Sequence, residues 1–76
     1  MSYLVTIKKD TGRKIIDSAF EKKERAEGRL SVLCLAEVSE EVLPYPKNVV
    51  RCRRYERNGS IITVTVYETS KEEMYF

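Results

Sequence analysis

Apolar and polar residues alternate near both ends of the chain, and that period of two predicts strands. From Ser2 to Lys9, Tyr3, Val5 and Ile7 fall on one face and Leu4, Thr6 and Lys8 on the other, until Asp10-Thr11-Gly12 breaks the run. Farther on, Val49–Glu56 and Ser60–Glu68 are rich in β-branched and aromatic residues and flank Asn58-Gly59. This predicts a C-terminal β-hairpin over residues 49–68.

The register of that hairpin depends on its loop. A plain two-residue turn sets Ile62, Val64 and Val66 opposite Tyr55, Arg53 and Arg51, which mixes core and charge on one face. A three-residue loop, Arg57-Asn58-Gly59 with Gly59 as a left-handed bulge residue, shifts the pairing by one. Val50 then faces Val66, Cys52 faces Val64, Arg53 faces Thr63, Arg51 faces Thr65, Tyr55 faces Ile61 and Val49 faces Tyr67. The hydrophobic pattern favours the second register, with Arg54 on the inward face near the loop.

Between these ends two readings stand. In the favoured one Thr11 caps a helix over about 13–27, with Ile15, Ile16, Ala19, Phe20 and Ala26 in one stripe and Gly28 as its left-handed C-cap. Residues 30–38 then form a central strand, apolar on both faces. In the alternative, Asp10-Thr11-Gly12 is a hairpin loop, residues 13–19 form a second strand, and a helix runs over about 22–41 with Gly28 inside it. The expected fold class is α+β, two-layer, with one helix packed on a four-stranded mixed sheet. The order β-α-β-β-β is favoured and β-β-α-β-β is the alternative. Pro44-Tyr45-Pro46 predicts an extended, exposed loop. The tail from residue 69 to 76 ends in Met74-Tyr75-Phe76, which suggests docking on this domain or on a partner.

With 76 residues the chain is expected to be a single domain over 1–76. So small a core is marginal, and dimerisation or partner binding would help it. No segment is long and apolar enough to span a bilayer as a helix, and the N-terminus lacks the features of a signal peptide. A soluble, cytoplasmic chain is therefore expected.

The net charge of +2 hides an uneven distribution. Residues 31–46 carry three acids and no base, whereas residues 47–57 carry five bases and one acid.

Catalysis is not expected. There is no histidine, the usual general base near neutral pH, and no nucleophile elbow, P-loop or dinucleotide glycine pattern. Cys34 and Cys52 are too few for a zinc site and are read as small buried residues, so neither a metal nor another cofactor is implied.

The candidate partner-binding residues are Arg51, Arg53, Tyr55, Arg57, Tyr67 and Tyr45. Guanidinium groups pair with carboxylate or phosphate, and tyrosine rings anchor interfaces or stack on bases. A protein partner is favoured, with a homodimer as one form of it. The alternative is a nucleic acid on the same face, helped by Lys8, Lys9, Arg13 and Lys14; the modest net charge weighs against it.

In size and layout the chain resembles small phage-encoded proteins that bind and block host enzymes, including some anti-CRISPR proteins. The resemblance covers the whole chain, rests on its compact α+β pattern and charged surface rather than on a motif, and transfers no residue. It implies an inhibitor or adaptor that occludes a partner's surface in the host cytoplasm.

Overall fold

In the computed structural model, residues 2–69 are described; the predicted docking of Met74-Tyr75-Phe76 lies outside them. The elements are β1 (Ser2–Lys9), β2 (Lys14–Phe20), α1 (Lys23–Leu33), β3 (Glu40–Glu41), β4 (Val49–Arg57) and β5 (Ser60–Thr69). The strands form one sheet in the order β2-β1-β5-β4-β3, and each neighbouring pair is antiparallel. The class is α+β, but the sheet is five-stranded and antiparallel rather than four-stranded and mixed.

The element order corrects the favoured reading. Residues 14–20 are strand, so the helix over 13–27 and the strand over 30–38 do not form; the helix also stops well short of the alternative's residue 41. Asp10-Thr11-Gly12 reverses the chain tightly, with Gly12 N–H donating to the Lys9 carbonyl at 2.9 Å. This brings Ile15 and Ile16 alongside β1, whose edge would otherwise carry unpaired backbone groups. A bulge at Asp17 shifts the pairing between Val5 and Thr6. Gly28 lies inside α1 on its exposed side, not at its C-cap. The helix closes as Cys34 N–H donates to the Leu30 carbonyl at 3.1 Å. Leu30 and Cys34 are buried, while Val32, Leu35 and Val38 are exposed.

The β4–β5 register also differs from the favoured one. Arg57 pairs with Ser60, Tyr55 with Ile62, Arg53 with Val64 and Arg51 with Val66. The loop is the two-residue turn: Asn58 has φ 52° and Gly59 φ 81°, the two positive angles of a type I′ turn. Of the pairs expected from the shifted register, Val49 opposite Tyr67 is present, reached through a bulge between Val49 and Arg51.

The core lies between α1 and one face of the sheet. Val5, Val64 and Val66 from the central strands meet Ala26, Leu30 and Cys34, with Tyr55 at the side and Tyr3, Ile7, Phe20, Leu33, Val50 and Ile62 around them. The helix packs over β1, β5 and β2. Toward β4, the helix-side face meets the connection between α1 and β3.

Candidate partner-binding site

Arg51, Arg53 and Arg57 stand on β4 at alternate positions, so they share the sheet face that carries the helix. Acids from the α1–β3 connection and from β3 meet them there. Arg53 donates from Nη1 to Glu41 Oε1 at 2.7 Å, from Nε to Ser39 Oγ at 2.9 Å and from Nη2 to the Ser39 carbonyl at 3.0 Å. Arg51 Nε donates to the same Glu41 oxygen at 2.8 Å, and the Tyr45 hydroxyl donates to the other. Arg57 donates through Nε and Nη2 to Glu37 Oε1 at 2.9 and 2.6 Å, and its guanidinium stands 5.7 Å from the centre of the Tyr55 ring.

These contacts change the electrostatics of the group. Burial pushes the Glu41 carboxyl up, but the hydrogen bonds from Arg51 and Tyr45, with the nearby positive charges, outweigh it and hold the group below its ordinary value. Hydrogen bonding to Glu41 raises Arg51, and hydrogen bonding to Glu37 raises Arg57. The guanidinium forks that the sequence offers to a partner are therefore occupied within the chain. Glu37, Ser39 and Glu41 were not among the candidate residues. Their signal was the acid-only stretch 31–46 running directly into the basic stretch 47–57.

The structure does not bring all six candidates to one surface. Tyr55 is buried beside the core, and Tyr45 sits on the β3–β4 connection against Glu41. Tyr67 stands on the opposite face, where no helix packs. It pairs with Leu4, yet its hydroxyl accepts from Lys14 Nζ at 3.0 Å, so the phenol extends diagonally across that open face toward β2. The Lys14 ammonium is 4.5 Å from the ring centre. Arg54 is also on the open face, not inward, and pairs with Glu40 at 2.7 Å. Thr6, Thr65 and Cys52 form a buried floor, with Thr6 Oγ1 donating to the Thr65 carbonyl at 3.4 Å and Cys52 Sγ lying 3.4 Å from Thr65 Oγ1.

A different group of cations is left at the tip of the β1–β2 hairpin. Among the described residues, Lys8, Lys9, Arg13 and Lys14 form no ion pair, whereas Arg29, Arg51, Arg53, Arg54 and Arg57 all do. Lys8 and Lys14 are direct cross-strand neighbours, an arrangement of like charges that is unfavourable by itself. Beside them Ile15 and Ile16 are 58% and 60% exposed, one on each face of the edge strand.

Among the described residues, no cluster of three or more His, Cys, Asp or Glu could hold a metal ion. Cys34 and Cys52 are both buried and free; burial pushes the Cys34 thiol up, with Arg53 and Ser39 opposing. No described helix is long and apolar enough to cross a membrane. No protein-family model matches the chain, and neither a curated protein nor a solved structure matches it significantly.

Proposed function

We propose that the chain is a non-enzymatic binding module that docks on a protein partner and occludes part of its surface. It would act as an inhibitor or adaptor, of the kind represented by phage-encoded host modulators. The observation that carries this reading is the β1–β2 hairpin tip. There Lys8, Lys9, Arg13 and Lys14 lack carboxylate partners among the described residues and lie beside the exposed Ile15 and Ile16, one on each face of the edge strand. An exposed aliphatic side chain with cations beside it suits a protein surface that offers apolar and acidic groups together. A single-stranded nucleic acid would use the same cations but would stack its bases on aromatic rings. Tyr67, the aromatic beside these cations, is engaged by Lys14.

In this reading the β4 arginines serve the interface indirectly. Their carboxylate partners tie the α1–β3 connection and β3 to β4.

Two measurements made together test the reading. The first is the anisotropy of fluorescent single-stranded and duplex oligonucleotides at low and high salt. The second is affinity capture from a lysate of the source cell by the wild-type chain and by a Lys8→Glu/Arg13→Glu/Lys14→Glu variant, with the contact site mapped by cross-linking. Weak oligonucleotide binding, with a captured protein that cross-links at the hairpin tip and is lost from the variant, is the expected result. Tight oligonucleotide binding that falls steeply with salt, as release of counterions from phosphate requires, would replace the protein partner with a nucleic acid.

A further inference from the structure

One corner of the helix-side face is left open. The helix ends at Leu33 and the following connection turns toward β4, so it does not reach the turn end of the β1–β2 hairpin. There Ile7, Ile15 and Ile62 floor an open cavity of about 390 Å³, and Lys9, Arg13 and Arg57 stand around it. The register explains the grouping. Ile7 is the cross-strand neighbour of Ile15, and Lys9 is that of Ile62, so all four lie on one face.

Charge separates the three cations. Arg57 is bound to Glu37, whereas among the described residues Lys9 and Arg13 make no ion pair and no acid lines the cavity. The combination is an apolar floor with two uncompensated positive charges at its edge. A ligand that matches it carries a hydrophobic group beside a carboxylate. The cavity is open to solvent, so a small free ligand would keep much of its surface in water, whereas sites for such ligands bury most of it. A side chain delivered by a protein segment does not meet that limit, because the rest of the segment covers the rim.

We propose that this corner is the anchor site for the partner: a leucine- or phenylalanine-sized side chain sits on Ile7, Ile15 and Ile62, and a flanking Asp or Glu of the same segment pairs with Lys9 and Arg13. The inference rests on the reading of the chain as a protein-binding module and names the chemistry of the segment it takes. Arg13 offers a planar fork for a bidentate carboxylate, and Lys9 a second charge.

Isoleucine methyl NMR tests it within one molecule. The isoleucines are Ile7, Ile15, Ile16, Ile61 and Ile62. Ile7, Ile15 and Ile62 line the cavity, while Ile16 and Ile61 point to the other face by strand alternation. The probe is a capped peptide of two leucines flanked by glutamates. Controls replace the leucines with serines or the glutamates with lysines. The expected result is a saturable shift of the Ile7, Ile15 and Ile62 methyls with the acidic leucine peptide. Binding should weaken by about tenfold or more with either control and in a Lys9→Glu/Arg13→Glu variant, the scale set by losing charge-assisted hydrogen bonds. Unchanged Ile16 and Ile61 signals in the free variant report an intact fold.

No saturable shift at millimolar peptide, or equal binding of the lysine-flanked peptide, would overturn the proposal. Shifts confined to Ile16 and Ile61 would overturn it while leaving the protein-binding reading in place. Failure of that wider reading appears separately, as tight, salt-sensitive oligonucleotide binding.

Discussion

Arg53 and Glu41 are cross-strand neighbours on β4 and β3, and Arg53 Nη1 lies 2.7 Å from Glu41 Oε1. On its other side Arg53 is paired with Val64, which is fully buried. A guanidinium thus stands at the margin of the core, and the carboxylate beside it makes that position tolerable. An unpaired charge there would carry a desolvation cost with no compensation.

The Glu41→Gln substitution keeps the shape and removes the anion from Arg51, Arg53 and Tyr45. Because these groups are only partly buried, the expected loss is about 1–2 kcal/mol, measured by chemical denaturation at neutral pH. The folded carboxyl lies below its ordinary value of 4.5, so its contribution is complete above that value and is lost as pH falls through the depressed one. The stability gap between wild type and variant should therefore narrow on acidification below about pH 4.5. A gap that does not narrow as the pH falls below 4.5 would show that Glu41 does not act through its charge.

Asp17 ties the edge strand to the helix. Arg29 donates to it through Nε at 2.7 Å and Nη2 at 3.0 Å, and Ser18 Oγ donates to it at 2.8 Å. The Arg29 hydrogen bond dominates and holds the Asp17 carboxyl below its ordinary value, against the effect of burial. Replacing Asp17 with Asn should speed amide hydrogen exchange in β2 while leaving β4 and β5 close to wild type. Uniform acceleration across the sheet would mean that the tie supports the whole fold instead.

Two glycines should respond to alanine with opposite signs. A methyl group at Gly28 meets no atom within 4 Å, and the residue sits inside α1 without a positive φ, so Gly28→Ala should stabilise by about 0.5–1 kcal/mol. Gly59 has φ 81°, and Gly59→Ala should destabilise by about 1–2 kcal/mol through strain alone, since nothing crowds the position. Denaturation midpoints of the two variants on either side of wild type are the expected observation.

The thiols provide a check on burial. Cys34 and Cys52 are 6% and 7% exposed, and burial pushes the Cys34 thiol up, so neither should react quickly with an aromatic disulfide reagent in the native chain. Both should react at once in denaturant. Rapid native labelling of Cys34 would mean that the turn after α1 opens readily.

Much of the local structure was legible in the sequence. The alternation from Ser2 to Lys9 specified β1, Asn58-Gly59 specified the second hairpin, and the exposed loop around Tyr45 followed from its flanking prolines. Two choices were not legible, and both concern partners distant in the chain. Residues 13–20 fit a helical stripe about as well as a strand, and the free edge of β1 decided for the strand. The β4–β5 register was set against the hydrophobic pattern, because two-residue turn geometry was satisfied at Asn58-Gly59 and the arginines it placed beside the core found carboxylates at Glu37 and Glu41.

The same division holds for function. By itself the sequence offered cations and tyrosines as binding candidates, while Ile15 and Ile16 read as part of a buried stripe and only the fold exposes them. Only the tertiary structure decided which cations are occupied, because ion pairing depends on distances between residues 10 to 20 positions apart. Folding brought the acidic stretch onto β4 and closed its arginines. It left Lys9 and Arg13 beside three isoleucines, with no acid among the described residues that line the cavity they share.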